Sequence, residues 1–276
     1  MQLGIFAKTF TRTTVEETLD AVVAHKLDCI QFNFSSAGLE SLPDKIDPSL
    51  AKRIGTAVRK RGICMAGVSG TFNMIHPDPK QRADGFRRLE AIAASCQTIG
   101  TNLITLCTGT RDPEDMWRGH PDNDSNNAWR DLAMGMQHAL EIAERHDVFL
   151  GIEPELANVI NSAPKARRLL DEMNNPRLKI VMDAANLLHA SELPRASAIW
   201  QEAFDLLAGD IIIAHAKDLA VDGSFVAAGK GALDYDLYIR LLRSVKFNGP
   251  LILHGLSETE VDASARLLRD KLNQNR

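Results

Sequence analysis

Short apolar runs alternate with amphipathic stretches from one end of the chain to the other. Eight of the runs read as strands: 2–7, 28–33, 63–69, 102–107, 148–153, 178–183, 210–216 and 250–254. They are continuous apolar segments rather than strict apolar–polar alternations, the pattern of strands covered on both faces. Between them, apolar residues recur every three to four positions, which is helical spacing. Phe86, Leu89, Ala93 and Cys96 mark a helix over 78–99, and Trp129, Leu132, Ala133, Met136 and Leu140 mark another over 125–145. Thr13 with Glu16, and Ser257 with Glu260, have the spacing of capping boxes at helix starts.

Eight strand–helix units over 276 residues give roughly 30–35 residues per unit, the value of a TIM barrel of about 250 residues. The chain is therefore expected to be α/β, a single (β/α)8 TIM barrel forming one domain over 1–276. The rival, a doubly wound open sheet, would announce itself by a glycine-rich phosphate loop after the first strand, and LGIFAKTF has none. No linker, low-complexity segment or internal repeat interrupts the pattern. The longest irregular stretch is TGTRDPEDMWRGHPDND, 108–124, after the fourth strand. Loops of that length in compact domains are usually functional, so 108–124 is expected to be a lid, with Arg111, Trp117 and His120 placed to cover a polar ligand. An ordinary surface excursion is the alternative.

Composition narrows the class. Hydrophobic residues make up 45% of the chain, enough for one large core. A formal charge of −4 and a pI near 6.1 speak against a general nucleic-acid binder, which would carry a basic stripe. A small polar substrate fits better. No apolar run reaches the roughly 18–20 residues of a membrane span, and Lys8 interrupts the N-terminus before a signal-like stretch develops, so a cytoplasmic protein is expected. Cys29, Cys64, Cys96 and Cys107 form no CxxC pair and read as small buried hydrophobes of a reducing compartment.

Candidate chemistry gathers at the strand ends, where barrels keep their catalytic groups. Glu153, Asp183, His215 and His254 close the last four apolar runs. Each has an ordinary explanation alone, such as an N-cap for Asp183 or a hydrogen-bonded structural role for His254. Four potential ligands at four successive strand ends are harder to explain as caps. Glu153 in particular, finishing a buried strand, must be paired, protonated or metal-bound. A mixed carboxylate and imidazole set suits one divalent metal (Mn, Zn, Co, Fe or Mg), which would act as a Lewis acid. Other candidates follow from position. Asn73 and His76 come after the third strand, Arg111 after the fourth, and Lys217 and Asp218 directly after His215. Lys217 is suited to stabilising an enolate-like oxygen; Asp218 to capping or orienting. Gly229, Lys230 and Gly231 are expected to shape a turn that closes over the substrate.

The pieces GIEPE, MDAANLLH, AHAKD, GKGALDY (229–235) and FNGPLIL (247–253), in that order, resemble the xylose-isomerase-like TIM-barrel superfamily of sugar isomerases and epimerases, inosose dehydratases and endonuclease IV. The resemblance runs over most of the chain and is clearest over 148–255. It implies that Glu153, Asp183 and His215 are metal ligands and that Glu153 also lies beside the reacting carbon as acid/base. It further implies a small sugar-like substrate and, by analogy, a homo-oligomer; the charge and the short apolar runs speak against nucleic-acid and membrane partners. Three positions depart from the family pattern. His254 stands where an eighth-strand Glu is usual, and it either ligates the metal, the reading preferred here, or serves as a free acid/base. Gln31 in CIQFN replaces a Glu, leaving Gln31 and Asn33 to hydrogen-bond hydroxyls. Asn186, with His189 three residues on, replaces a His. The expected activity is metal-dependent isomerisation or epimerisation of a small sugar through proton abstraction and an enediolate. An inosose-dehydratase-like lyase and a non-catalytic sugar-binding barrel are the alternatives, while Gln31 and the negative charge speak against a nuclease.

Overall fold

The computed structural model describes residues 1–274. Its strands are β1 (Gln2–Phe6), β2 (Cys29–Phe32), β3 (Cys64–Ser69), β4 (Leu103–Leu106), β5 (Phe149–Ile152), β6 (Leu178–Asp183), β7 (Ile211–Ala216) and β8 (Pro250–Leu253). All pair in parallel, and β1 pairs with both β2 and β8, so the sheet closes on itself as a (β/α)8 barrel. Eight helices cover it: α1 (Val15–Ala24), α2 (Pro48–Lys60), α3 (Pro79–Ile99), α4 (Asn126–His146), α5 (Ala163–Met173), α6 (Ala196–Leu207), α7 (Tyr235–Ser244) and α8 (Val261–Asn273). An extra two-stranded ribbon, Asp218–Leu219 with Phe225–Val226, follows β7. Among the described residues no helix is long and apolar enough to cross a membrane.

The helix starts obey local chemistry. Asp47, Asp78, Ser125 and Asp234 each accept a hydrogen bond from a first-turn backbone N–H, which satisfies donors the helix cannot reach. The spacing at the first helix is displaced by one residue from the Thr13–Glu16 expectation. Thr14 is the cap, and the Glu17 carboxylate accepts from the backbone N–H of Thr14 at 3.1 Å. Glu16 is instead drawn into a bidentate pair with Arg53 of α2. The expected Ser257–Glu260 pair is present, with Glu260 accepting from the Ser257 N–H at 2.8 Å, but it caps the short 3-10 turn Glu258–Glu260 that leads into α8.

The apolar runs hide a period of two that only the closed barrel reveals. One parity faces the helices and joins the main core; the other faces inward, where Phe6, Cys29, Leu103, Val181, Ile213 and Ile252 form a separate cluster plugging the barrel. Two residues beyond four of these plug positions stand Gln31, Asp183, His215 and His254. The inward parity therefore carries each strand from an apolar floor to a polar mouth. Cys29, Cys96 and Cys107 are buried as expected, but Cys64, at the start of β3, is exposed.

Candidate active site

Helix side chains fix the strand ends that carry the site. The Tyr238 hydroxyl on α7 donates to the carbonyls of Met182 (2.9 Å) and His215 (3.1 Å), bridging β6 and β7. Tyr235 reaches the Lys217 carbonyl at 2.9 Å, and Trp200 Nε1 on α6 donates to the Ala184 carbonyl at 3.0 Å. All three rings are buried, where side chains of this size contribute about 1.5–3 kcal/mol each. The β6–β7 register puts Asp183 opposite His215.

A cavity of about 430 Å³ opens at this end, within the range of small-molecule sites. Its lining includes Glu153, Asn186, His215, Lys217 and His254, and beneath it Asp183 is almost wholly buried, at 1% exposure. Hydrogen bonds orient the set from below. Thr105 Oγ1 accepts from Gln31 Nε2 (3.0 Å), which turns Gln31 Oε1 toward His215 Nε2 at 2.7 Å. A carbonyl oxygen there requires Nε2 to carry a proton, so Nδ1 is the nitrogen that faces the site. Nδ1 lies 3.3 Å from Glu153 Oε1 and 3.6 Å from Asp183 Oδ2. Asn186 Nδ2 donates to Glu153 Oε1 at 2.6 Å, while Asn186 Oδ1 accepts from Lys217 Nζ at 2.5 Å.

These charges set one another's proton affinities. Burial pulls the His215 imidazolium down, but Glu153 and Asp183 outweigh it and carry the pKa up to about 9. Burial would raise Asp183, yet Lys217 and His215 hold it well below the usual carboxylate range. Burial also opposes the charge on Lys217, but Asp183, Glu153 and Glu155 hold its pKa above the ordinary value. His254 goes the other way. Burial, with His215 and Lys217 nearby, drives it well below the ordinary imidazole value, so it is neutral. Burial pushes Glu155 up to about 7, with Lys217 opposing and Glu153 reinforcing.

The donor set fits a divalent cation. Asp183, His215 and His254 each offer a ligand atom, all within 4.8 Å of one another. Asp183 Oδ1 accepts from the Ala185 N–H at 3.0 Å, but its Oδ2 is buried with no hydrogen-bond partner. Lys217 Nζ and His215 Nδ1 each lie 3.6 Å from that oxygen, beyond hydrogen-bond reach, so it has a lone pair to give to a cation. Glu153 stands beside this trio, bonded to Asn186 and facing His215.

Other sequence candidates lie elsewhere. Asn73 exchanges hydrogen bonds with the backbone of Thr110 (2.9 and 3.0 Å) and so ties two loops together. His76 is engaged by the Pro113 carbonyl and the Asp78 N–H, both at 3.0 Å. The Arg111 guanidinium donates to Asp131 on α4 (2.7 Å) and to the Ile75 carbonyl (3.0 Å), outside the cavity. His189 is exposed at the start of a short helical turn, and Asn33 caps another by accepting from the Ser35 N–H. His120 is held against the Asp122 N–H at 3.2 Å. Of the long loop's candidates, Trp117 lines the cavity.

Asp218 is a brace. Its carboxylate, 1% exposed, accepts from the backbone N–H groups of Leu219, Gly229 and Leu233 at 2.9–3.0 Å. Gly231 has no side chain because a Cβ there would come 2.3 Å from Asp218 Oδ1. Lys230 points away to Glu260, so the glycine turn supports the strand-seven ribbon rather than reaching over the cavity. Asp218→Ala would orphan three donors and is expected to cost about 3 kcal/mol, read as a lower urea midpoint at unchanged slope. A midpoint within error of the parent would refute the bracing role.

Sequence reasoning missed Lys8, Glu155, Cys107 and Phe225 as cavity residues. Lys8 and Cys107 were legible by parity, two residues beyond Phe6 and Thr105 on the inward face; Glu155 and Phe225 lie beyond strand ends or in the ribbon, where the run pattern gave no signal.

Comparison with known proteins agrees with this architecture. The xylose isomerase-like TIM barrel family matches residues 19–271. The chain belongs to that family. Among curated relatives, the L-ribulose-5-phosphate 3-epimerase UlaE of Shigella flexneri is 25% identical over 222 residues, 78% of this chain and 71% of the relative. Among solved structures, the 3-keto-D-glucoside 4-epimerase YcjR of E. coli superposes with a TM-score of 0.75 at 16% identity, covering 98% of this chain and 99% of that one. The IolI protein, solved with a bound zinc atom, superposes at 0.73 with 14% identity, covering 100% and 99%. Identities this low in the solved structures speak for the fold.

Proposed function

We propose that this barrel is a sugar isomerase or epimerase that works with one divalent metal. The observation that carries the reading is the convergence of Asp183, His215 and His254 beside Glu153 at the base of the cavity. The sugar epimerases among its relatives support the reaction class, and the zinc in IolI supports the metal.

Asp183, His215 and His254 would hold the ion, with Glu153 adjacent as a fourth ligand, as base, or as both. Bound there, a divalent metal supplies Lewis acidity toward a carbonyl or hydroxyl oxygen of the sugar. The chain's own groups do the rest. Glu153, aimed by the Asn186 amide, removes the proton α to the carbonyl. Lys217, charged and fixed by Asn186 and Asp183, donates to the oxygen on which charge develops and so stabilises the enediolate. Return of the proton to the adjacent carbon gives an isomer. Its return to the opposite face gives an epimer and needs a second acid, for which Glu155 is a carboxyl on the cavity wall. Gln31 and Thr105 keep the His215 imidazole in the tautomer that leaves Nδ1 available, the second-shell role common to metal-bound histidines.

The test is solvent-deuterium incorporation, followed by NMR, across a panel of L-ribulose 5-phosphate, unphosphorylated ketoses, 3-keto-glucosides and inososes. Exchange at a carbon α to the carbonyl is expected with at least one member, and loss of water in the product would mark a lyase. Absence of exchange across the panel with metal-loaded protein would sink the reading. Lys217→Met is expected to lower kcat by about 10²–10³ with metal content retained; an unchanged kcat would remove Lys217 from the mechanism.

A further inference from the structure

The upper half of the cavity bears on which sugar is bound, an inference that rests on the floor being a sugar site. A phosphate carries nearly two negative charges and is usually held by arginine forks, several lysines or a helix N-terminus. Among the described residues, the cavity is lined by two lysines and no arginine. Lys217 is already committed, donating to Asn186 at 2.5 Å and lying 3.6 Å from Asp183. Lys8, the other lysine, lies over the Phe6 ring, 4.6 Å from its centroid, and burial lowers its pKa against the pull of Glu153. The Glu155 side chain adds an acidic group to the same lining. The β3–β4 wall offers neutral hydroxyls instead, those of Ser69, Thr71 and Thr105, which suit sugar hydroxyls rather than a dianion.

Two aromatic side chains complete the lining from separate loops. Trp117, 55% exposed, comes from the loop after β4, and Phe225, 44% exposed, from the ribbon after β7. What sets these two apart from exposed apolar residues elsewhere is that both line this cavity, where apolar surface is available to a ligand. Both are presented by braced segments. Arg118 pairs with Asp112 across the Trp117 loop, and the Trp117 N–H donates to Asp115 at 2.9 Å. Phe225 is positioned by Lys217, whose Nζ lies 3.9 Å from the ring centroid. A second ring attached to a sugar at the floor would have these two side chains to lie against.

We infer that the substrate is an unphosphorylated sugar bearing a second ring, a glycoside in chemical class, whose far ring lies against Trp117 and Phe225 while its reacting carbons face Glu153. Calorimetric binding of three probes to the metal-loaded protein tests this: phenyl β-glucoside, glucose and glucose 6-phosphate, with NMR of the recovered free sugars used to correct for any turnover. The phenyl glucoside should bind about tenfold tighter than glucose, and glucose 6-phosphate no tighter than glucose. Trp117→Ala and Phe225→Ala should each cut the phenyl preference by about fivefold, the scale of one aromatic contact, with thermal melts confirming that both variants fold. Tighter binding of glucose 6-phosphate, no preference among the probes, or a preference that survives both substitutions would overturn the inference. Because these are binding measurements, a failure of deuterium exchange would remove the isomerase reading and leave this result standing.

Discussion

Glu153→Gln is expected to lower solvent-deuterium exchange and net turnover by about 10³-fold or more, at the upper end of what a single general base contributes. The substitution is chosen for what it keeps. Oε1 would still accept from Asn186 Nδ2, a contact of 2.6 Å in the parent protein, and the side chain has the same shape. What it removes is the negative charge and the basic lone pair beside His215. The fold should survive, since the Glu153 backbone N–H donates to the Leu106 carbonyl at 2.9 Å whatever the side chain. Measured on a confirmed substrate, a kcat within tenfold of the parent would show that the proton is taken by another group. In the absence of metal the same variant should melt at or below the parent temperature, because a negative charge facing the buried His215 and Lys217 cations has been deleted.

Metal should stabilise the folded protein strongly, and Asp183 should be the residue through which this is read. A ligand that binds only the folded state at 100 times its Kd adds about 2.7 kcal/mol. For a domain of this size that is a rise of about 5–10 °C in Tm. Chelated protein titrated with Zn²⁺ or Mn²⁺ is therefore expected to gain several degrees, and purified protein to carry stoichiometric metal. Asp183→Asn isolates the ligand role. Its Oδ1 can still accept from the Ala185 N–H, so the turn after β6 is kept, while the orphaned Oδ2 is replaced by an amide that cannot ligate. The variant should fold and lose the metal-induced rise in Tm. A parent protein that neither holds metal nor gains stability from it would favour a barrel that binds sugars without transforming them.

Much of the floor of the site was legible because it is written in strand ends. Asp183, His215 and His254 each follow an inward-facing apolar residue by two positions, so once the strands are parallel and closed these side chains must converge. Arg111 shows where such reasoning stops. It follows β4 and carries the right charge for a substrate anion, yet Asp131 on α4 captures it from 20 residues away in sequence. Asn73 and His76 are similarly taken by loop backbone, because buried carbonyls and N–H groups near a barrel mouth need partners as much as a ligand does. His254 could be read from the sequence as ligand or as acid/base. Its burial against His215 and Lys217 keeps it neutral, the form in which imidazole ligates.

The sequence by itself determined the eightfold strand–helix alternation, the barrel, and which residue types arrive at its mouth. These follow from local periodicity, which depends only on neighbours a few positions apart. The tertiary structure alone decided which of those residues meet: Gln31 fixing the His215 tautomer, Asn186 joining Glu153 to Lys217, and Trp117 and Phe225 lining one cavity from distant loops. Those pairings depend on competition among partners far apart in the chain, and a side chain goes to whichever group the closed barrel brings within reach.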